Sequence, residues 1–475
     1  MKTKISFEII SISLLLVSFS QLGAADLYVS TQGSDANPGT AIQPCRTITH
    51  AYGLARPGDT VHVLPGVYTD YTSGWGIHLG ASGTATSPIV LRSEVQAGAV
   101  IDGLNASDRN VGFYIDGSYN IVDGFEIRNG PKGGITIWSN GNQIRNCSIH
   151  NNGNPASSST DGRDGVYSNE GTAGNVYAAN YIHHNGRSGS NLDHGLYLCG
   201  QNEVVINNVL LANAACGLQI AGYTTVSNLR VDNNVFALNG TDGIILWQSL
   251  NGIEIKNNIF YQNGHYGIGS YAATGSGVVV DHNLSFGNGY GNFNFTDGGS
   301  TYSYNLGTTV SADPLFGNPA ANAFDAHLSP GSPAIQAGLN LYSFFTTDLA
   351  GTARPSTSAW DLGVYVYVAG PADTTPPGIQ FVSPINGAIV TGSVTVSANA
   401  SDNVAVVGVQ FKLDGTNLGS EVLAAPYTVT WNSTQTSNAT HTLTAVARDA
   451  AGNRTSVNVS VGVSNASKPL HGHKH

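Results

Sequence analysis

A short repeat recurs seven times between residues 124 and 288 and constrains the fold more than any other feature of the chain. Each copy places two asparagines five residues apart around a short apolar strand, and the first copy has glycine at its leading position. Successive copies begin 22 to 34 residues apart. A period of this length that is built from strands predicts a parallel β-solenoid, in which equivalent residues of successive coils stack. The copies are Gly124–Asn129, Asn146–Asn151, Asn180–Asn185, Asn208–Asn213, Asn234–Asn239, Asn258–Asn263 and Asn283–Asn288.

Composition and charge narrow the class of protein. The 475 residues include 59 glycines, and 41% are hydrophobic while only 10% are charged, which favours a turn-rich β protein over a disordered one. Lysine and arginine total 19 against 30 acidic residues, so the net charge of −11 argues against nucleic acid as a partner. The four cysteines, Cys45, Cys147, Cys199 and Cys216, allow disulfides in an oxidising compartment, and packing as free thiols is an equal expectation.

Residues 1–25 have the pattern of an export signal. Lys2 and Lys4 precede an apolar run, and the small residues 23–25 follow it. The run is too short for a membrane span, and no later segment is long and apolar enough to form one. We therefore expect a secreted or periplasmic protein that acts as a monomer.

The mature chain divides into two parts of different character. Residues 26–368 contain the repeats, begin with a segment of helical spacing that predicts a cap over the first coil, and finish with a closing segment. A proline-containing linker, 369–377, leads to residues 378–463, where apolar and polar residues alternate as in the strands of a β-sandwich. Residues 464–475 form a tail.

The motifs of the opening segment and those of the C-terminal part each carry a resemblance to a known family. Tyr28–Asp35, Arg46–Ile48, Arg56–Thr60 and Pro65–Tyr68 resemble the first segment of secreted right-handed parallel β-helix proteins of the pectate-lyase-like group, especially family 9 polysaccharide lyases. The motifs in residues 402–453 resemble bacterial immunoglobulin-like modules. The resemblance implies an all-β chain, with a right-handed β-helix followed by an immunoglobulin-like sandwich that serves as a spacer or adheres to carbohydrate.

Stacking the coils predicts one exposed patch. The second strand of each coil begins at a glycine, so side chains at the same offset from that glycine form ladders with a spacing of about 4.8 Å. Two loops, 153–161 and 186–192, enter the same region and are expected to wall a cleft. The patch contains Arg163, Asp164, Tyr167, Asp193, His194 and Tyr197, and Trp138 and Trp247 flank it.

The resemblance implies a uronate substrate, and the patch offers groups for its chemistry. Elimination needs a cation to neutralise the carboxylate, a base for the acidic proton and an acid for the leaving oxygen. We assign Arg163 to the first task, His194 to the second and Tyr197 or Tyr167 to the third. Asp164 and Asp193 are candidate Ca²⁺ ligands or groups that orient His194. The expected substrate contacts are Trp138, Trp247, Gln219 and Lys132.

The chain also departs from the family pattern. Family 9 lyases use a lysine base beside an aspartate-rich calcium site, whereas the central coils contain no lysine and Lys132 lies one coil earlier. The leading prediction is an enzyme that cleaves an acidic polysaccharide by β-elimination. A glycoside hydrolase that uses Asp164 and Asp193, a uronate C5-epimerase and a non-catalytic binding or adhesion protein are the alternatives.

Overall fold

The computed structural model describes residues 24–71, 75–104, 110–153, 162–369, 373–449 and 451–465. The chain forms two compact units, Met1–Val366 and Tyr367–His475. The predicted export signal therefore lies almost entirely outside the described residues, as do the loop residues 154–161 and most of the tail. No helix among the described residues has the length and apolar character needed to cross a membrane.

Three long parallel sheets form the first unit, and the coils of the chain visit them in turn. In the described part of the chain, sheet 1 contains eleven strands: Asp26–Val29, Thr60–Val63, Ile89–Ser93, Asn120–Asp123, Gln143–Arg145, Val176–Ala178, Val204–Ile206, Arg230–Asp232, Glu254–Lys256, Val278–Asp281 and Tyr304–Leu306.

Sheets 2 and 3 each contain ten strands among the described residues. Those of sheet 2 are Ile77–Leu79, Val111–Ile115, Gly133–Ile137, Val166–Ser168, Leu196–Leu198, Leu218–Ile220, Val226–Ser227, Ile244–Asn251, Tyr266–Ser276 and Gly291–Phe293. Those of sheet 3 are Gly66–Tyr68, Ala99–Asp102, Glu126–Arg128, Ser148–His150, Tyr181–His183, Val209–Leu211, Val235–Ala237, Ile259–Tyr261, Asn283–Phe286 and Thr309–Val310.

The core lies between the three sheets because alternate side chains of each strand point inward. In Leu196–Leu198 the two leucines are fully buried, whereas Tyr197 between them is partly exposed. The inward residues of successive coils are register partners and form continuous apolar rows. One such row in sheet 2 consists of Ile135, Val166, Leu196, Leu218, Ile244 and Ile268.

The repeated asparagines form two buried ladders. In the first, the side-chain amide of Asn180 donates to Asn208 Oδ1 at 2.9 Å, and Asn208 donates in the same way to Asn234 at 3.0 Å. Each side chain also accepts a backbone N–H from the preceding coil, as Asn208 does from Asn180. The second ladder begins at Asn152, which donates to Asn185 Oδ1 at 2.9 Å. The predicted copies Gly124–Asn129 and Asn146–Asn151 are therefore one residue out of register, because Cys147 takes the ladder position of Asn180 in its coil and Asn151 is exposed. The ladders supply partners to turn backbone that would otherwise be buried without hydrogen bonds.

The predicted cap is present at the N-terminal end of the β-helix. The helix Ile48–Leu54 begins at Thr47, whose hydroxyl accepts the N–H of His50 at 3.2 Å, and it buries Ile48, Ala51 and Tyr52. The closing segment contains an antiparallel pair, Phe316–Asn318 with Asp325–Leu328, and the buried Trp360. The 3₁₀ helices of this unit are Asp297–Gly299 and Ala321–Ala323.

The second unit has its own core, built around Phe411 and Trp431. Its described strands form two largely antiparallel sheets. The first consists of Gly378–Ser383, Ser393–Ser401 and Tyr427–Asn432, and a 3₁₀ helix, Ser433–Gln435, follows its last strand. The second consists of Ile389–Val390, Arg454–Val463, Thr440–Asp449, Val406–Leu413 and Thr416–Asn417.

The four cysteines are buried and form no disulfide. All four are free thiols, the second of the two outcomes that the sequence allows. Cys45 and Cys147 belong to the apolar core, whereas Cys216 lies against His194.

Candidate active-site cleft

Two adjoining cavities lie on the outer face of sheet 2. The first has a volume of about 380 Å³ and the second about 550 Å³. They meet where Tyr197, which lines the first cavity, is the register partner of Gln219, which lines the second. The outward ladder of sheet 2 thus forms the floor of one cleft, and the predicted stacking of Thr136, Tyr167, Tyr197 and Gln219 is confirmed by the strand pairing.

The first cavity combines a cation, a carboxyl group and two phenols. Lys132, Asp164, Tyr167 and Tyr197 line it, between the rings of Trp138 and Trp75. Tyr167 and Tyr197 belong to neighbouring coils, and their rings lie edge to face with centroids 5.4 Å apart. The cavity can therefore surround an anionic ring with one positive charge and two hydroxyl groups.

The protonation states of these groups follow from burial. Burial raises the pKa values of Tyr167 and Tyr197 well above the usual range, so both phenols are protonated at neutral pH. Burial also raises the pKa of Asp164 to about 8, although its Oδ1 accepts the backbone N–H of His194 at 2.9 Å. Near neutral pH, Asp164 is consequently an uncharged hydrogen-bond donor.

His194 does not lie on an exposed surface, which corrects the sequence-based expectation. The side chain is only 3% exposed, and it lines the second cavity with Cys216, whose Sγ lies 2.9 Å from His194 Nδ1. Burial lowers the pKa of His194 to about 4, so the ring is neutral at neutral pH. Its ring centroid lies 5.7 Å from that of Tyr197.

Arg163 and Asp193 also differ from the expectation. Both are buried, and neither lines either cavity. The Asp193 carboxylate accepts two side-chain bonds from Arg187, at 2.7 Å each, together with the backbone N–H of Arg163 at 3.0 Å. Burial opposes the charge of Asp193, but the bonds from Arg187 hold the pKa of this carboxyl below its usual value. The two positions before each repeat glycine lie in a turn that packs on the next coil, which explains why four of the six predicted patch residues are buried.

The second cavity is aromatic and acidic. It contains the predicted contacts Gln219 and Trp247, and it also contains Asp242 and Asp297. Burial raises the pKa of Asp242 to about 6, and the charge of Asp297 adds to this effect. His265 Nδ1 lies 3.8 Å from Asp242 Oδ2.

Several lining residues were missed by sequence reasoning. Tyr271 is the register partner of Trp247 in the next coil. The outward ladder that contains Trp247 would therefore have predicted Tyr271 if it had been extended by one coil. Trp75 comes from a coil that precedes the asparagine repeats, and Tyr290 comes from a turn, so no repeat signal marks either residue.

The predicted calcium site does not fit the described residues. Ca²⁺ takes six to eight oxygen ligands in proteins, usually from several carboxylates. Asp193 is held by Arg187, so Asp164 is the only carboxylate among the described residues that line the first cavity. In the described part of the chain, one cluster of three carboxylates that could hold a metal ion lies in the second unit. It consists of Asp373, Asp402 and Asp449.

Comparisons with known proteins agree with this architecture. Residues 27–193 match the family model described as the Pel9A-like right-handed β-helix region, and residues 377–445 match a bacterial Ig domain. Pectate lyase PEL9 of Emericella nidulans is 31% identical over 147 residues, which cover 28% of this chain and 35% of that protein. Pectate lyase L of Dickeya chrysanthemi is 31% identical over 134 residues, covering 27% and 32% of the two chains. The chain thus spans about a third of the length of these curated relatives.

A solved structure extends the similarity in fold beyond the region of sequence similarity. The crystal structure of pectate lyase Pel9A aligns with 73% of this chain and 97% of its own, with a TM-score of 0.55 and 18% identity. The resemblance stated from the sequence is confirmed for both parts of the chain. The first part of this chain therefore has the fold of a right-handed parallel β-helix and is similar to the Pel9A-like region over residues 27–193, and a segment that matches a bacterial Ig domain follows it.

Proposed function

We propose that this protein is an exported enzyme that cleaves a uronic-acid-containing polysaccharide by β-elimination in the cleft on sheet 2. One observation carries the proposal. The first cavity brings Lys132, Asp164, Tyr167 and Tyr197 around a single space of about 380 Å³. The two relatives named pectate lyases, which are similar to less than a third of this chain, support the same reaction class.

The first requirement of elimination is to stabilise the charge that develops on the substrate carboxylate. Lys132 supplies a positive charge at this cavity, in the role that the sequence assigned to Arg163. The protonated carboxyl group of Asp164 donates a further hydrogen bond to the same carboxylate. A cation and a neutral acid together favour the enolate-like transition state over the ground state.

The second requirement is a proton acceptor beside a proton donor. His194 lines the second cavity and contacts the ring of Tyr197, so it acts from the junction of the two cavities. Its neutral ring takes the C5 proton, and the electron pair of that bond forms the new double bond as the C4–O bond breaks. The hydroxyl group of Tyr197 donates its proton to the leaving oxygen, and Tyr167 packs against its ring. A centroid separation of 5.7 Å between His194 and Tyr197 suits groups that act on adjacent atoms of one sugar ring.

A panel of polyuronides tests the reaction class. Purified full-length protein is incubated with each polymer, with and without a chelator, and the absorbance of unsaturated uronide is followed. We expect unsaturated product from at least one polymer and a rate that the chelator leaves within about twofold, because Asp164 is the one carboxylate among the described residues that line the first cavity. Reducing ends without unsaturated product, or no change in any polymer, would contradict elimination.

A pair of lysine variants tests the role of the cation. Lys132→Met is expected to lower kcat/KM about 100-fold, because the substrate carboxylate loses its neutralising charge. Lys256→Met is the matched control, since Lys256 lies on sheet 1 and pairs with Glu254 at 2.9 Å. A similar loss in both variants would show that the effect is not specific to the cleft.

The second cavity supports a second candidate function, a glycoside hydrolase. Asp242 and Asp297 line this cavity, and Asp242 has the raised pKa that a general acid needs. This pair replaces Asp164 and Asp193, because Asp193 is held by Arg187 outside both cavities. New reducing ends without unsaturated product, lost in Asp242→Asn, would favour hydrolysis.

A further inference from the structure

The second cavity begins at His194, the proposed base, and continues the cleft beyond it. Tyr197 pairs in register with Gln219, and Gln219 pairs with Ile245, two residues before Trp247 on the same strand. Trp247 therefore lies two coils beyond Tyr197, which is about 10 Å along the stack of coils, or about two sugar residues of an extended chain. Tyr271 lies one coil further.

Exposed aromatic rings line this part of the cleft. Tyr271 is 52% exposed and Tyr290 is 67% exposed, so a large part of each side chain is open to the cleft. Their orientation is held by contacts with other rings. Trp247 lies edge to face with Tyr271 at 5.7 Å, and His265 stacks on Tyr290 at 4.5 Å. Rigid, partly exposed rings of this kind provide flat apolar surfaces for the faces of sugar rings.

The charge of the second cavity is opposite in sign to that of the first. Lys132 lines the first cavity, whereas no lysine or arginine lines the second among the described residues. Asp242 and Asp297 are its carboxylates, and they would repel the carboxylate of a uronic acid. Hydroxyl groups of an uncharged sugar, in contrast, can donate hydrogen bonds to both carboxylates and to the Gln219 side-chain oxygen.

We infer that the second cavity binds neutral sugars, so that the substrate is a heteropolysaccharide with neutral residues two and three positions from the cleaved uronic acid. This inference rests on the proposed function for its reference point, the uronic acid in the first cavity. It distinguishes the substrate from a homopolymer of uronic acid, which would place a carboxylate beside Asp242.

Binding and cleavage are measured separately on two probes of equal length. One is a homopolymer fragment of glucuronic acid, and the other is a fragment whose repeat contains one glucuronic acid and three neutral sugars. Calorimetry on the full-length protein gives Kd, and absorbance of the unsaturated uronide gives elimination. We expect the mixed fragment to bind at least about tenfold more tightly.

Variants test whether the second cavity causes the tighter binding of the mixed fragment. Trp247→Ala and, separately, Tyr271→Ala are expected to remove most of the difference between the two probes. Tyr271 is half exposed, so its loss leaves the core unchanged if Trp247→Ala folds poorly. Tyr342→Ala is the matched control, because Tyr342 is exposed in the closing segment and lines neither cavity.

The outcomes separate this inference from the proposed function. Equal affinity for the two probes, or an equal loss for both in Trp247→Ala, would overturn the inference even if unsaturated product forms. A second outcome is that the mixed fragment binds more tightly, that this difference is lost in Trp247→Ala, and that no polymer gives unsaturated product. This outcome would support the neutral-sugar site and overturn the proposed elimination.

Discussion

Tyr197 occupies the point at which the two cavities meet. Its position on the outer face follows from the alternation of Leu196, Tyr197 and Leu198, since the two leucines point into the core. Burial of the phenol by Tyr167 and His194 keeps it protonated, and the same contacts hold the ring in place. The protonation state and the orientation of Tyr197 are thus set by residues of the same coil and of the neighbouring coil.

Tyr197→Phe tests the assignment of the proton donor. The substitution removes one hydroxyl group and preserves the ring contacts, so we expect kcat to fall about 100-fold or more while the fold is unchanged. Steady-state kinetics and circular dichroism measure the two effects. Tyr181→Phe, on sheet 3, serves as the control. A Tyr197→Phe enzyme with more than a tenth of the original kcat would exclude the hydroxyl as the donor.

The pH dependence of kcat/KM tests His194 and Asp164 together. Protonation removes the base below its pKa of about 4, so activity falls as pH decreases through that value. Ionisation of Asp164 above about pH 8 removes a donor and places a negative charge beside the substrate carboxylate, so activity falls again. The expected plot of kcat/KM against pH is bell-shaped, with an acidic limb near pH 4 and an alkaline limb near pH 8. Asp164→Asn cannot ionise, and persistence of the alkaline limb in this variant would assign that limb to another group.

The asparagine ladders show what stabilises the β-helix between its apolar rows. Each amide in the ladder bonds to the asparagine of the next coil and to a backbone carbonyl of the preceding coil, as Asn208 does with Asn234 and Tyr177. From Asn180 to Asn263 the repeat in the sequence marked these positions, and the inference that they are structural agrees with their burial. A ladder couples neighbouring coils, so a defect at one coil leaves unsatisfied groups on both sides.

Asn208→Ala measures this coupling. The substitution leaves the N–H of Asn180 and the carbonyl of Tyr177 without their partner, and we expect the free energy of unfolding to fall by about 3 kcal/mol. Urea denaturation of the full-length protein gives this value. Asn228→Ala is a suitable comparison, because the Asn228 side chain makes its bond to Asn202 at the surface. Equal effects in the two variants would contradict a special role for the buried ladder.

At the scale of the whole molecule, the two units have separate cores. The first contains the rows between the three sheets, and the second is built around Phe411 and Trp431. Both cavities of the cleft are lined by residues of the first unit. The groups proposed for the reaction therefore require no residue of the second unit.

A chain that ends at Val366 tests this division. We expect it to fold and to retain kcat on soluble substrate fragments within about twofold, because it contains the complete first core and both cavities. Steady-state kinetics on such fragments provides the measurement. Loss of kcat in a shortened chain whose circular dichroism shows an intact β-helix would indicate that the second unit contributes to the site.

The sequence by itself determined the solenoid and the register of the strands of sheet 2, because a period set by strand pairing places equivalent residues one above another. Tyr167, Tyr197 and Gln219 could therefore be aligned before the structure was known. Only the tertiary structure decided which polar residues face the cleft. Arg163, Asp193 and His194 are buried because the turns before the repeat glycines pack on the next coil, and Asp193 pairs with Arg187 from a loop. Strand register is a local periodic property, whereas the burial of a turn depends on contacts between segments that have no fixed spacing in the sequence.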